Sequence, residues 1–230
     1  MSARTYSEIA ISLLILCSPG SAGCSRPSPK DGAVVQSRLV FDGVDYQIAH
    51  AEISGYLPNP EQSDVRNKSL QWSIYVEAAG KADNEGGETA PHVDFDGLDS
   101  LKVKDWQNLT GASVLWTEPI NDKTNNRYGL TYVWDHQLIT KSTLKIVSRK
   151  GTQFRVVSSG ENERGQRFAI DATVEFTGIR VEGSDKDNDV TVKARLSQHV
   201  SLANLKAQPY KMDLQLDPLK VGHAMFEPVR

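Results

Sequence analysis

From Arg38 onward, apolar residues recur at every second position in most stretches between polar connections, and this periodicity constrains the fold more than any other feature of the chain. Leu70, Trp72, Ile74, Val76 and Ala78 share one parity. The same holds for Tyr128, Leu130, Tyr132 and Trp134, for Phe168 through Phe176, for Val190 through Leu202, and for Met212, Leu214 and Leu216. A strand sends successive side chains to opposite faces, so such alternation predicts strands with one face in a core and the other toward water. No stretch of eleven or more residues carries a helical period, and the domain is expected to be all-β. At Gly178 the parity changes sides, since Ile179 and Val181 continue what Phe176 leaves off, and a β-bulge at that glycine restores the register. Asp42-Gly43 and the RKGT of 149–152 read as hairpin turns. About ten to twelve strands fit between Arg38 and Asp217, which suits a single antiparallel β-sandwich or barrel-like domain over residues 37–230. Only Asp99 to Leu109 is ambiguous, because Leu101, Val103, Trp106 and Leu109 suit a short helix as well as a strand. The polar, glycine-rich connections at 79–91 and 159–166 are expected to be mobile.

Ahead of this domain, Arg4 precedes the apolar run IAISLLILC, which ends at Ser18, Pro19 and Gly20 as the core of an export signal does. The run is roughly half the ~20 apolar residues that a membrane-spanning helix needs, so residues 1–23 are expected to be removed. Ser21, Ala22 and Gly23 stand before Cys24, and this segment resembles the lipobox of bacterial lipoproteins. The resemblance covers about the first tenth of the chain and implies that the Cys24 thiol carries a diacylglyceryl group and becomes the new N-terminus. It also implies an exported protein held on a membrane of the cell envelope. Ser25 after the cysteine points, by the same resemblance, to the outer membrane, facing the periplasm or the surface. An ordinary secretory signal cut near Gly23 is the alternative. Pro27 and Pro29 and their small polar neighbours make residues 24–36 an extended tether. With Cys17 lost and Cys24 acylated no disulfide is left, and core burial alone must stabilise the domain.

Formal net charge is −3, with acidic and basic residues interspersed. No basic stripe is present, and nucleic-acid binding is not expected. The densest ligand-like cluster is HVDFDGLD. On an extended segment His92, Asp94 and Asp96 share a face and Asp99 curls back past Gly97, a candidate metal site whose alternative is a solvated strand end with an Asp-Gly turn. SDKDNDV, at 184–190, spaces Asp185, Asp187 and Asp189 as an EF-hand loop begins. Val190 and Leu196 replace the required glycine and glutamate, so a hairpin tip is expected instead. His50 and Glu52 share a strand face as a solvated polar pair. Trp72 and Trp134 share parity with aliphatic residues and read as core, which leaves Trp106 and Trp116 as candidate platforms for a sugar. No G-x-S-x-G elbow occurs, and no cofactor is expected. These features suit a non-catalytic, lipid-anchored envelope domain that binds a protein or polysaccharide partner or serves a structural role. The alternatives are an envelope hydrolase or metal-dependent enzyme using His92, Asp94 and Asp96, and a periplasmic barrel that encloses a small ligand.

Overall fold

The computed structural model describes residues 37–61, 68–80, 90–98, 101–116, 128–132, 135–213 and 221–229. Residues 1–36, which hold the expected signal, Cys24 and the expected tether, lie outside the described residues, as do Asp99 and Trp134, and Trp116 is described in its backbone only. Among the described residues twelve strands form one sheet: β1 (Arg38–Phe41), β2 (Val44–Leu57), β3 (Gln71–Ala78), β4 (His92–Asp96), β5 (Ser113–Trp116), β6 (Tyr128–Tyr132), β7 (His136–Lys150), β8 (Gln153–Asn162), β9 (Arg167–Ser184), β10 (Leu205–Ala207), β11 (Lys211–Met212) and β12 (Val221–Pro228). No helix among the described residues is long and apolar enough to cross a membrane.

Eight of the strands close on themselves in the order β1-β2-β3-β4-β6-β7-β8-β9, with β9 pairing back onto β1 and every neighbour antiparallel. Within the barrel-or-sandwich expectation, the all-β domain is therefore barrel-like. The four-residue β1 lies between β2 and β9 along Val44–Gln47 and Phe168–Asp171. Farther along the seam β2 and β9 pair directly, from Glu52↔Glu175 to Leu57↔Val181. That pair is parallel because both strands run antiparallel to β1. The anticipated bulge sits in this seam, where the register shifts between Ile53↔Phe176 and Ser54↔Gly178. Gly178 has φ +127°, and a Cβ there would lie 2.6 Å from the Phe226 carbonyl oxygen, so only glycine fits. Asp42-Gly43 forms the expected two-residue hairpin between Phe41 and Val44, with φ 49° and 83°. β5, β10, β11 and β12 lie outside the ring. β5 continues along β7 where β6 leaves off, and β12 takes over the β9 edge beyond the end of β8.

The inward stripe fills the barrel. Phe95 and Phe168 meet at 6.1 Å between ring centroids, Trp72 and Phe176 at 6.1 Å, and Trp106 stacks on Phe176 at 4.5 Å. A small ligand enclosed in the barrel would have to displace these rings. Trp106 is 1% exposed and belongs to a short 3-10 turn, Trp106–Leu109, that carries it into the core, with the Arg149 guanidinium 5.6 Å from its ring centroid. It is therefore no surface sugar platform. Its neighbours, not a solvent face, use the ring.

The stretch from Val190 to Leu202, expected as strand, instead begins with the helix α1 (Asp189–Ser197). Asn188 caps it through its Oδ1, which accepts from the Val190 and Thr191 amides, while the Thr191 hydroxyl accepts from the Asn188 amide. The same-parity apolar set divides by helical spacing. Val192 and Leu196, one turn apart, are buried, whereas Val190 is 75% exposed. SDKDNDV is thus the entry to a helix and not a hairpin tip. Connection 159–166 also differs from expectation, because Asn162 pins it by accepting from the Arg164 and Gln166 amides and donating to Thr131.

Phe176 supports two tryptophans from the closing strand, so Phe176→Ala should lower stability by about 3–5 kcal/mol in urea unfolding. An unchanged midpoint would show that the barrel does not depend on this packing.

Candidate functional site

β2, β3, β4, β6 and β7 lie side by side, and their outward positions build one polar face. The register sets His50 opposite Glu77, Glu52 opposite Tyr75 and Ser54 opposite Ser73 between β2 and β3. It then sets Tyr75 opposite Asp94 and Glu77 opposite His92, His92 opposite Tyr132, and Tyr132 opposite His136. One ring per strand results, with histidine and tyrosine alternating. Centroid separations are 6.0 Å for His50–Tyr75, 5.2 Å for Tyr75–His92, 4.9 Å for His92–Tyr132 and 5.0 Å for Tyr132–His136. His92 and Tyr132 are nearly coplanar, at 11°, while Tyr75 is tilted by 49° and 42° to the rings on either side.

Beside the ladder is an open depression of about 230 Å³ lined by Glu52, Ser54, Ser73, Tyr75, Asp94 and Asp96. Ser73 donates its hydroxyl to Asp96 Oδ1, which also accepts from the Gly97 amide at 2.8 Å. His50 Nε2 lies 3.3 Å from Glu52 Oε2 at the exposed edge, the solvated pair expected from their spacing. Burial raises the Asp94 carboxyl to about 7, assisted by the charges of Asp96 and Glu52. Burial likewise raises Tyr75 to about 12, with Glu77 accepting its hydroxyl proton. His92 is held below the usual imidazole range by burial, an effect that Glu77 opposes and His136 reinforces, so it is neutral at pH 7. The site therefore offers a proton donor at Asp94 alongside carboxylate acceptors, hydroxyls and ring tips.

The structure does set His92, Asp94 and Asp96 on one face, as their spacing predicts, but it does not converge them. The His92 ring is turned into its stack with Tyr132, and Asp96 is engaged by Ser73 and Gly97. Among the described residues no three His, Cys, Asp or Glu side chains are placed to hold a metal ion. Tyr75, Tyr132, Glu52 and Ser73 are the residues that reading along the chain does not associate with His92. For Tyr75, Glu52 and Ser73 the available signal was outward parity, but the strand order was needed to bring them together; Tyr132, whose parity with Leu130 and Trp134 reads as a core face, instead stands half-buried beside His92 while Thr131 is buried.

Compared with known proteins, the chain matches no family, no curated protein and no solved structure.

Because the Asp94 carboxyl titrates higher in the folded protein than in the unfolded chain, the folded state binds the extra proton. Its contribution to stability is present below about pH 4 and lost as pH rises through about 7. Asp94→Asn should therefore flatten the fall in melting temperature between these limits and melt above the parent at pH 8. A parallel pH profile for the two proteins would refute the shift.

Proposed function

We propose that this chain is a non-catalytic, lipid-anchored domain of the cell envelope that holds a polysaccharide partner across the outward face of β2–β7. The observation that carries the proposal is the His–Tyr ladder alongside the depression of Glu52, Asp94 and Asp96. Ionised carboxylates accept strong hydrogen bonds from sugar hydroxyls, and the tilted Tyr75 ring meets an apolar sugar face. A shallow, open depression on a rigid sheet suits a segment of an extended polymer, since the remainder of that polymer can run on over the neighbouring strands. No basic residue is among those lining the depression, and the Asp94 carboxyl, raised chiefly by burial, has the charges of Asp96 and Glu52 beside it. Neutral polysaccharides are thus favoured over acidic ones. The lipobox-like segment before Cys24 and the proline-bearing tether support placement on a membrane, where two acyl chains hold a protein durably and one does not.

Calorimetric titration with neutral and acidic envelope polysaccharides tests the binding face. The neutral polymer should bind, and Tyr75→Ala and Asp96→Asn should each weaken it at least tenfold, with the acidic polymer weaker in every case. Absence of binding to both polymers would overturn the proposal. The anchor has its own test: Cys24→Ser should move the protein from the membrane to the soluble fraction, and equal partition of parent and variant would argue against acylation.

A second reading, hydrolysis of the bound polymer, is favoured by one observation, that Asp94 keeps its proton up to about 7 beside two other carboxyl groups. Paired carboxyls with divergent proton affinities are the arrangement that acid-base cleavage of a glycoside uses. Release of reducing ends that disappears in Asp94→Asn, with binding retained, would replace the non-catalytic reading by this one.

A further inference from the structure

A second cavity lies away from the ring face, at the barrel end where residues 101–104 meet the last turn of α1. Its volume is about 290 Å³, the lower end of the range typical of small-molecule sites. Two hydrogen bonds fix its walls. The Trp72 indole donates to the Leu101 carbonyl at 3.1 Å, and the Ser201 amide donates to the Lys104 carbonyl at 2.7 Å. The first ties β3 to the 101–104 segment, and the second ties that segment to the chain leaving α1.

The lining combines apolar and basic residues. Leu70, Trp72 and Leu101 are buried and form the apolar part, while Lys102, Lys104 and His199 supply the charged and polar part. None of the residues lining the cavity is acidic, although acidic residues outnumber basic ones, 29 to 26, in the whole chain. The negative end of α1 does not offset this, because the carbonyls of Arg195 and Leu196 accept the amides of Gln198, His199 and Val200. Burial and the nearby Arg195 hold His199 in its neutral form at pH 7, so its ring offers a neutral hydrogen-bonding group and the positive charge comes from the two lysines.

We propose that this cavity binds a small organic anion, with a carboxylate seated between Lys102 and Lys104 and a short hydrocarbon body against Leu70, Trp72 and Leu101. An apolar wall with a few converging polar groups sets orientation as well as affinity, and the paired ammonium groups select for negative charge. The site is separate from the ring face, and its occupation does not depend on whether that face binds polysaccharide.

Hexanoate is a suitable probe, with hexanamide as its uncharged analogue and hexylamine as its cationic one. Titration of the isotope-labelled protein, followed by NMR, should give saturable binding of hexanoate at least tenfold tighter than of either analogue. The Trp72 indole and His199 resonances should shift, and those of Tyr75 and His92 should not. The Lys102→Ala/Lys104→Ala double variant should lose at least tenfold in hexanoate affinity, and both lysines are exposed enough to be replaced without disturbing the core. Equal binding of hexanoate and hexanamide, no saturable binding, or shifts centred elsewhere in the unmodified protein would each overturn the proposal. Unchanged hexanoate affinity in the double variant would do the same.

Discussion

The fold depends on the pairing that seals β2 against β9. A sheet whose inward side chains are nearly all apolar has to close or expose that surface, and closure here is made in two stages along one seam. The short β1 spans the first part by hydrogen bonding to both sides. Beyond it the two long strands meet directly, in a parallel pairing that needs no crossover helix because it is inherited from their common antiparallel neighbour. The bulge at Gly178 makes this possible: it resets the inward parity of β9, so that Phe168 through Phe176 and then Ile179 and Val181 all face inward. The Phe226 carbonyl oxygen comes close enough to Gly178 to leave no room for a side chain, and the same residue that resets the register therefore also admits β12.

Closure sets the outward face as firmly as the inward one. The ring ladder comes from four successive strand pairings, each placing an outward aromatic residue beside the next. A slip of one residue in any of them would turn that strand's rings toward the core and its core residues toward water. The polar face thus takes its precision from the hydrophobic packing behind it. Val93 and Phe95, fully buried, hold His92, Asp94 and Asp96 outward at fixed spacing. The same alternation explains why His92, Asp94 and Asp96 do not meet at one point, because side chains two apart on a straight strand stay parallel and do not converge.

Strand content, the Asp42-Gly43 hairpin and the bulge at Gly178 were legible because each depends on a period of two or on one or two residues' own backbone preferences. The helix at 189–197 was not. Val190, Val192, Ala194 and Leu196 satisfy a strand pattern, and only the cap at Asn188 and the packing of Val192 and Leu196 against the barrel select the helical alternative. Trp106 escaped for a related reason: a four-residue turn has no period to detect, and nothing local says that its ring will lie on Phe176. The candidate site was half legible. His92, Asp94 and Asp96 stood out as neighbours along the chain, and His50 with Glu52 likewise, but Tyr75 and Tyr132 join them only through the order of the strands, a long-range property that no short window contains.

Closing the ring also disposes of sheet edges. Among the described strands, only β5, β10 and β11 pair on one side alone, and they have four, three and two residues. Unpaired amide and carbonyl rows are templates for another chain to extend, and their reach grows with their length. Among the described strands the rows are too short to nucleate such growth, so resistance to strand-by-strand aggregation is built into the topology.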